Sequence, residues 1–259
     1  MDIKYVVADP AGNITGLVLT EFPRKAHKRI ANYLIDHSPD GLEQVGFISQ
    51  CEDCDGSLDM MGGEFCGNAS RSLGLYLAKN SLTQGTAKVR LRVSGASGVL
   101  EVQTDLNTNE AKIKMPQITA MASVQTVDFG EVPVIGFEGI SHVLLIDQEP
   151  EKDKGEGLIR ALAKDFPADA IGLMYYQTDQ HFLTPLVWVR ATDTMIWESS
   201  CGSGSIALAA YLKRATKEDW SCCFLEPGGS LNVAMIDGAL YLGGPVSFSQ
   251  TKSIGYPEP

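Results

Sequence analysis

Ser199-Ser200-Cys201-Gly202-Ser203-Gly204-Ser205 repeats, in outline, an earlier stretch of the same chain, Glu64-Phe65-Cys66-Gly67-Asn68-Ala69-Ser70. With Cys66 laid on Cys201, Gly67 falls on Gly202, Ser70 on Ser205, Leu73 on Leu208 and Tyr76-Leu77 on Tyr211-Leu212. A glycine turn follows each copy, at Gly95 and at Gly228, then alternating strands, and the copies close at Pro116 and Pro245. A repeat of this length predicts two copies of one α/β unit facing each other. The expected halves are residues 1–117, completed by 247–259, carrying Cys66, and residues 118–246, carrying Cys201.

Outward from the two cysteines, the pattern is of many short strands and few helices. Val89, Leu91 and Val93 alternate with Arg90 and Arg92; Ala111, Ile113 and Met115 alternate with Lys112 and Lys114; Leu231, Val233 and Met235 follow the same period. Val143 to Ile146 reads as a fully buried strand. Helices are expected over Arg24 to Ile35, Gly67 to Lys79, Gly157 to Lys164 and Gly202 to Lys213. The last is apolar nearly all round, from Ile206 to Leu212, so it must be enclosed on every side. Strands wrapped around a central helix would enclose it; a buried helix in a layered sheet is the alternative. The fold class is therefore α/β (α+β).

The 259 residues suit two domains. A net charge of −11 argues against a nucleic-acid or anionic-membrane partner, both of which need clustered Lys and Arg. No apolar run approaches a membrane span, and Met1 to Tyr5 does not begin a secretory signal, so a cytoplasmic location is expected. In a reducing compartment the six cysteines are expected as thiols. Cys51-Glu52-Asp53-Cys54 has metal-knuckle spacing, but Cys222 and Cys223 are adjacent and suit tetrahedral coordination poorly. Unpaired structural thiols are the expectation for all four.

Cys66 and Cys201 each stand just before a helix and are followed by glycine and small polar residues. A helix start offers unpaired N–H groups and the positive end of a dipole, which together hold a carboxylate and favour thiolate. Racemisation needs a base on one face of an α-carbon and an acid on the other, and a thiolate and a thiol fill both roles. Helix-start amides would stabilise the carbanion as its charge spreads onto the carboxylate. No P-loop or dinucleotide fingerprint is present, and no cofactor and no metal are expected.

Cys66-Gly67-Asn68, Cys201-Gly202-Ser203-Gly204 and the amino-terminal Ala11-Gly12-Asn13 resemble motifs of the diaminopimelate epimerase superfamily, whose members racemise amino acids without pyridoxal phosphate. The resemblance spans essentially the whole chain. It implies two pseudo-symmetric domains, each a strand barrel around a central helix, with the site in the cleft between them. Within the superfamily the chain is most similar to histidine racemases, including those that feed opine-metallophore synthesis. Glu43-Gln44-Val45-Gly46-Phe47-Ile48, Glu64-Phe65-Cys66-Gly67-Asn68-Ala69, Ile196-Trp197-Glu198 and Pro227-Gly228-Gly229-Ser230 carry that likeness. It departs from diaminopimelate epimerase at Ala69, where that enzyme has glycine, and before Cys201, where Thr194 to Glu198 offers no arginine for a distal carboxylate. The nearest preceding arginine is Arg190.

The resemblance implies Cys66 and Cys201 as catalytic residues, with Asn13, Gln44 and Asn68 lining the site beside Gly67, Gly202, Ser203 and Gly204. Glu43 and Glu198 are candidate acceptors for a substrate imidazole N–H, against the ordinary alternative of solvated glutamates. His142 is expected to make a structural hydrogen bond, and Trp197 to be a wall or core residue. The expected partner is a small-molecule amino acid, and a homodimer stays open. Other readings are a diaminopimelate epimerase, a racemase of another amino acid, an isomerase of the phenazine-biosynthesis kind, and a non-enzymatic cysteine metal or redox module. Both cysteine positions being filled disfavours the phenazine kind.

Overall fold

A computed structural model describes residues 1–166, 168–216 and 218–257. The chain divides into two compact units, Met1–Lys114 with Gly243–Pro259, and Met115–Leu242.

Elements are numbered in chain order. The first unit runs β1 (Asp2–Asp9), β2 (Thr15–Val18), α1 (His27–His37), β3 (Gln44–Ser49), β4 (Gly56–Met60), α2 (Gly67–Ser81), β5 (Thr86–Val93), β6 (Leu100–Asp105) and β7 (Glu110–Lys114). β1 and β2 pair antiparallel, and β2 and β3 pair parallel across the α1 crossover. β3 and β4 pair antiparallel, and β4 and β5 pair parallel across the α2 crossover. β5, β6 and β7 complete an antiparallel meander. Parallel neighbours need such a helical crossover, which is why each helix sits where it does.

The second unit runs β8 (Ala120–Thr126), β9 (Gly130–Gly136), β10 (Ile140–Ile146), α3 (Lys152–Asp165), β11 (Ala170–Gln177), β12 (Phe182–Val189), β13 (Thr194–Trp197), α4 (Gly202–Leu212), β14 (Trp220–Glu226), β15 (Gly229–Ile236) and β16 (Ala239–Pro245). Its pairings follow the first unit's order. β9 and β10 are antiparallel, β10 and β11 parallel across α3, β11 and β12 antiparallel, β12 and β14 parallel across α4, and β14 and β15 antiparallel. β13 is an addition, a hairpin partner of β12. The echo around the two cysteines is therefore an echo of topology. The chain returns to the first unit as β17 (Ser247–Phe248) and β18 (Lys252–Gly255), both antiparallel to β1.

Within each unit one helix is central and one is outer. α2 packs on β1, β2, β4, β5, β6 and β7, and α4 on β10, β11 and β15. Their burial follows: α2 is buried from Gly67 to Leu75, and α4 from Gly204 to Ala210. The outer helices bury one stripe each. Ile30, Ala31 and Leu34 of α1 pack with Val45 and Phe47, and Leu158, Ile159 and Leu162 of α3 with Val143, Leu145 and Leu173.

Three expectations need correction. The helix expected from Arg24 begins as a 3-10 turn over Arg24–Ala26 and becomes α1 at His27. The helix expected from Gly157 starts at Lys152, because its first turn is charged and shows no apolar stripe. Cys51 and Cys54, expected as unpaired thiols, form a disulfide. Two intervening residues between β3 and β4 bring their Cα atoms to 5.3 Å, inside bridging range. Asp53 lies beside the pair but binds Arg92 at 2.6 Å, and the joined sulfurs are not the two thiolates a metal knuckle needs. Among the described residues no helix is long and apolar enough to cross a membrane.

Candidate active site

In the first unit the loop after β1 turns through Ala11 and Gly12, both in the left-handed region at φ 65° and 86°. Asp9 steadies it by accepting the Gly12 N–H at 2.6 Å. The loop delivers Asn13, which is buried. Asn13 donates through Nδ2 to Glu43 Oε2 at 3.0 Å and accepts Gln44 Nε2 on its Oδ1. Gln44 also donates to Thr15 Oγ1 at 3.1 Å. Asn13, Glu43 and Gln44 are thus one hydrogen-bonded group.

Cys66 is the N-cap of α2, in extended conformation, and its sulfur accepts the Ala69 N–H at 3.4 Å. The thiol occupies the place where Ser or Asp would cap a helix, so it sits against first-turn amides. Gly95, at φ +68°, packs its Cα against the backbone of Glu64 and Phe65; any Cβ there would strike that backbone, so glycine is required to hold the approach to Cys66. The Glu64 carboxyl is buried, which pushes its pKa up. Gly67 and Asn68 begin the helix, and Asn68 Oδ1 accepts Arg71 Nε at 3.1 Å.

In the second unit Cys201 is the N-cap of α4. Its thiol is buried and its pKa is pushed well up, first by burial, then by the charges of Glu198 and Glu226, with the Gly204 amide and Ser203 hydroxyl opposing. Ser203 Oγ lies 3.8 Å from the Cys201 sulfur and 2.8 Å from His142 Nε2. His142 is wholly buried, which holds its pKa down near 3 and keeps the ring neutral. Gly204 lies with its bare Cα against Met174 and the cysteine, since a Cβ there would fall on Met174 Sδ and 3.3 Å from Cys201 Sγ. Gly202 is held equally close against Leu242. Glu198, half-buried, follows β13 and anchors by its N–H to Pro185 O at 3.0 Å. Trp197 stacks on Tyr175 at 5.7 Å between ring centres, a core-side role. Arg190 stacks on Trp188 and donates to the carbonyls of Ala163, Phe166 and Ala168.

Each helix start thus carries a cysteine sulfur, a following glycine and small polar residues at its first turn, which suits an acid or a base acting on an anion-bearing carbon. A family model described as Histidine racemase CntK N-terminal domain matches residues 2–238. The chain belongs to this histidine racemase family. It is 32% identical over 253 residues to a histidine racemase of Fusobacterium nucleatum, with 94% of each chain covered. A histidine racemase of Staphylococcus aureus is 27% identical over 244 residues, covering 89% of this chain and 88% of that one. The fold is also that of a solved hydroxyproline epimerase from Agrobacterium vitis, at a TM-score of 0.72 and 13% identity, covering 100% of this chain and 94% of that one. The enzyme is an isomerase, an amino-acid racemase of the racemase–epimerase class.

Two residues beside the cysteines escape a reading of the sequence. Arg71 is wholly buried in α2, and Nη1 donates to Gly244 O at 2.8 Å and Pro245 O at 3.0 Å. Glu226 ends β14, buried, accepting the Cys201 N–H at 2.7 Å and the Ser205 hydroxyl. Glu226 had a signal: Trp220, Cys222, Phe224 and Glu226 share the inward face of β14, so its charge stands at a core position. Arg71 had a weaker one, a lone cation in the first turns of a helix otherwise built of small and apolar residues.

Proposed function

We propose that the enzyme interconverts L- and D-histidine by a two-base mechanism in which Cys66 and Cys201 serve as thiolate and thiol. The observation that carries this reading is the matching placement of the two cysteines. Each is the N-cap of the central helix of its unit, in the same place in the same order of strands. One sulfur takes the α-proton, forming S–H as the C–H bond breaks, and the other gives its proton to the opposite face. The electron pair left on carbon spreads onto the substrate carboxylate, which first-turn amides at Gly67, Asn68, Gly202, Ser203 and Gly204 are suited to hold. The products are the other enantiomer and a pair with its proton exchanged, so the chemistry calls for neither pyridoxal phosphate nor metal.

Histidine is favoured as substrate by the two relatives and by the fate of the arginines. Arg190, the nearest arginine before Cys201, is engaged with the carbonyls of Ala163, Phe166 and Ala168. A second substrate carboxylate would lack that partner. Glu43 and Glu198 are carboxylates suited to an imidazole N–H, and Asn13 and Gln44 orient Glu43. A cytoplasmic amino-acid pathway of the metallophore kind fits such an activity. The test is a panel of L-amino acids in D2O, scored for α-deuterium and D-product: histidine should lead, and a diaminopimelate efficiency above that for histidine would overturn the substrate.

A further inference from the structure

The two copies differ at two buried positions next to their cysteines. Five residues beyond the cysteine, α2 carries Arg71 and α4 carries Ile206, both at 0% exposure. At the end of the strand that follows the helix, β5 carries Val93 and β14 carries Glu226, at 7% and 3% exposure. The first unit has therefore exchanged an apolar residue for a cation, and the second an apolar residue for an acid.

We propose that Arg71 and Glu226 are positioning residues that set the resting protonation of the pair, Arg71 holding Cys66 as the thiolate and Glu226 holding Cys201 as the thiol. This rests on the reading of the two cysteines as base and acid. Among the described residues Arg71 donates only to neutral acceptors, Asn68 Oδ1 and the carbonyls of Gly244 and Pro245, and its buried Nη2 has no partner there. A buried guanidinium so placed lacks a counter-charge. Burial lowers its pKa only to about 10, so it stays charged, and the negative charges it faces are Cys66 and, more weakly, Asp9. Asp9, which accepts the Gly12 N–H, is the weaker of the two, and Glu64, buried two residues before Cys66, is driven toward its neutral form. The Cys66 thiolate is the larger counter-charge.

At α4 the situation is reversed. Ser70 of α2 returns its hydroxyl to Cys66 O at 2.7 Å, whereas its counterpart Ser205 gives its hydroxyl to Glu226, which also takes the Cys201 N–H. The acid thus occupies the helix start that would otherwise favour thiolate. Glu226 titrates at about 8, so it stands as the protonated acid at neutral pH and adds a negative charge beside the buried thiol as pH rises through that value, which opposes loss of the Cys201 proton. Glu198 adds a second negative charge, and His142, the remaining titratable group here, is neutral and supplies none.

The test is iodoacetamide alkylation of the full chain across about pH 5–10, with modification at Cys66 and Cys201 quantified separately by peptide mass spectrometry. The pH midpoint reports thiolate formation, to which burial also contributes, whereas restricted access to the reagent lowers the plateau rate, so the shift in each variant isolates the charge. The Cys66 midpoint should lie about one unit or more below that of Cys201. Arg71→Met should raise the Cys66 midpoint and Arg71→Lys should keep it low, whereas Glu226→Gln should lower the Cys201 midpoint and leave Cys66 unmoved. If Arg71→Met does not fold, the wild-type order and the Glu226→Gln shift still decide. A Cys201 midpoint at or below that of Cys66, or no shift at Cys201 in Glu226→Gln, overturns the proposal. Racemisation is scored separately: the expected midpoints in a protein inert toward every amino acid would sink the two-thiol function and leave the charge assignment standing.

Discussion

The main-chain N–H of Cys201 donates to the Glu226 carboxyl at 2.7 Å, so an acid from the end of β14 caps the helix that carries the cysteine. Burial pushes that acid from 4.5 to about 8, with the bonds from Ser205 and Cys201 resisting. The folded enzyme therefore carries a proton there at neutral pH that an unfolded chain would release.

That proton has a consequence for stability. A carboxyl whose folded pKa is raised stabilises the fold below its unfolded pKa and loses that contribution as pH rises toward about 8, at about 1.4 kcal/mol per unit. His142, lowered from 6.5 to about 3, acts in the opposite sense and loses stability as pH falls below 6.5. The two slopes cancel between 4.5 and 6.5. Glu226 should therefore cost the wild type about 2 kcal/mol of stability between about pH 6.5 and 8, and Glu226→Gln should lose that much less over the same range. Urea midpoints measured across that range check it; parallel curves for the two proteins would contradict it.

Single-cysteine variants address the chemistry. Cys66→Ser and Cys201→Ser should each lose nearly all racemisation, since a serine hydroxyl is a far poorer acid–base group than a thiol. Each surviving cysteine should still exchange the α-proton of one enantiomer with D2O slowly, and the two variants should prefer opposite enantiomers. Near-wild-type racemisation by either variant would rule out the two-thiol mechanism.

Arg190 offers a separation of stability from function. Its three carbonyl bonds tie the end of β12 to the last turn of α3 and the segment after it. Arg190→Met should lower stability by about 1 kcal/mol, the exposed side chain limiting the effect, and leave the preference for histidine over diaminopimelate unchanged. A thermal melt together with kcat/KM on both amino acids measures it. A variant whose substrate preference changes would show that Arg190 serves the site.

The central helix should resist enlargement. Gly74 of α2 faces Val102 of β6, and a Cβ there would lie 2.6 Å from Val102 Cβ. Gly74→Ala gains at most about 1 kcal/mol of helix propensity but forces a helix and a strand apart, at about 1–3 kcal/mol or more. Overpacking wins, so the variant should melt lower. A higher melting temperature would mean the strand yields more freely than the packing implies.

Much of the architecture is legible in the order of residues alone. α2 and α4 begin at Gly67 and Gly202 as the Cys-Gly signals predict, and the alternation from Val89 and from Leu231 falls in β5 and β15. These signals are local: a cap, a turn and a period of two or 3.6 residues are set by neighbours within one element. The full apolar girth of α4 foretells its burial, while leaving open whether wrapped strands or a layered sheet enclose it.

What the linear order cannot express is which distant residue meets which. Lys152 begins α3 without an apolar stripe because that turn is solvated. Cys51 and Cys54 join because the turn between β3 and β4 brings them within range, which composition and compartment do not reveal. The sequence by itself determined the two α/β copies, their central helices and the cysteine at the head of each. Only the tertiary structure decided that Glu226, 25 positions beyond Cys201, reaches back to its amide, and that Arg71 is sealed from water. The reason is that protonation depends on burial and on charges brought near by packing, and both are properties of the folded surroundings rather than of the residues in line.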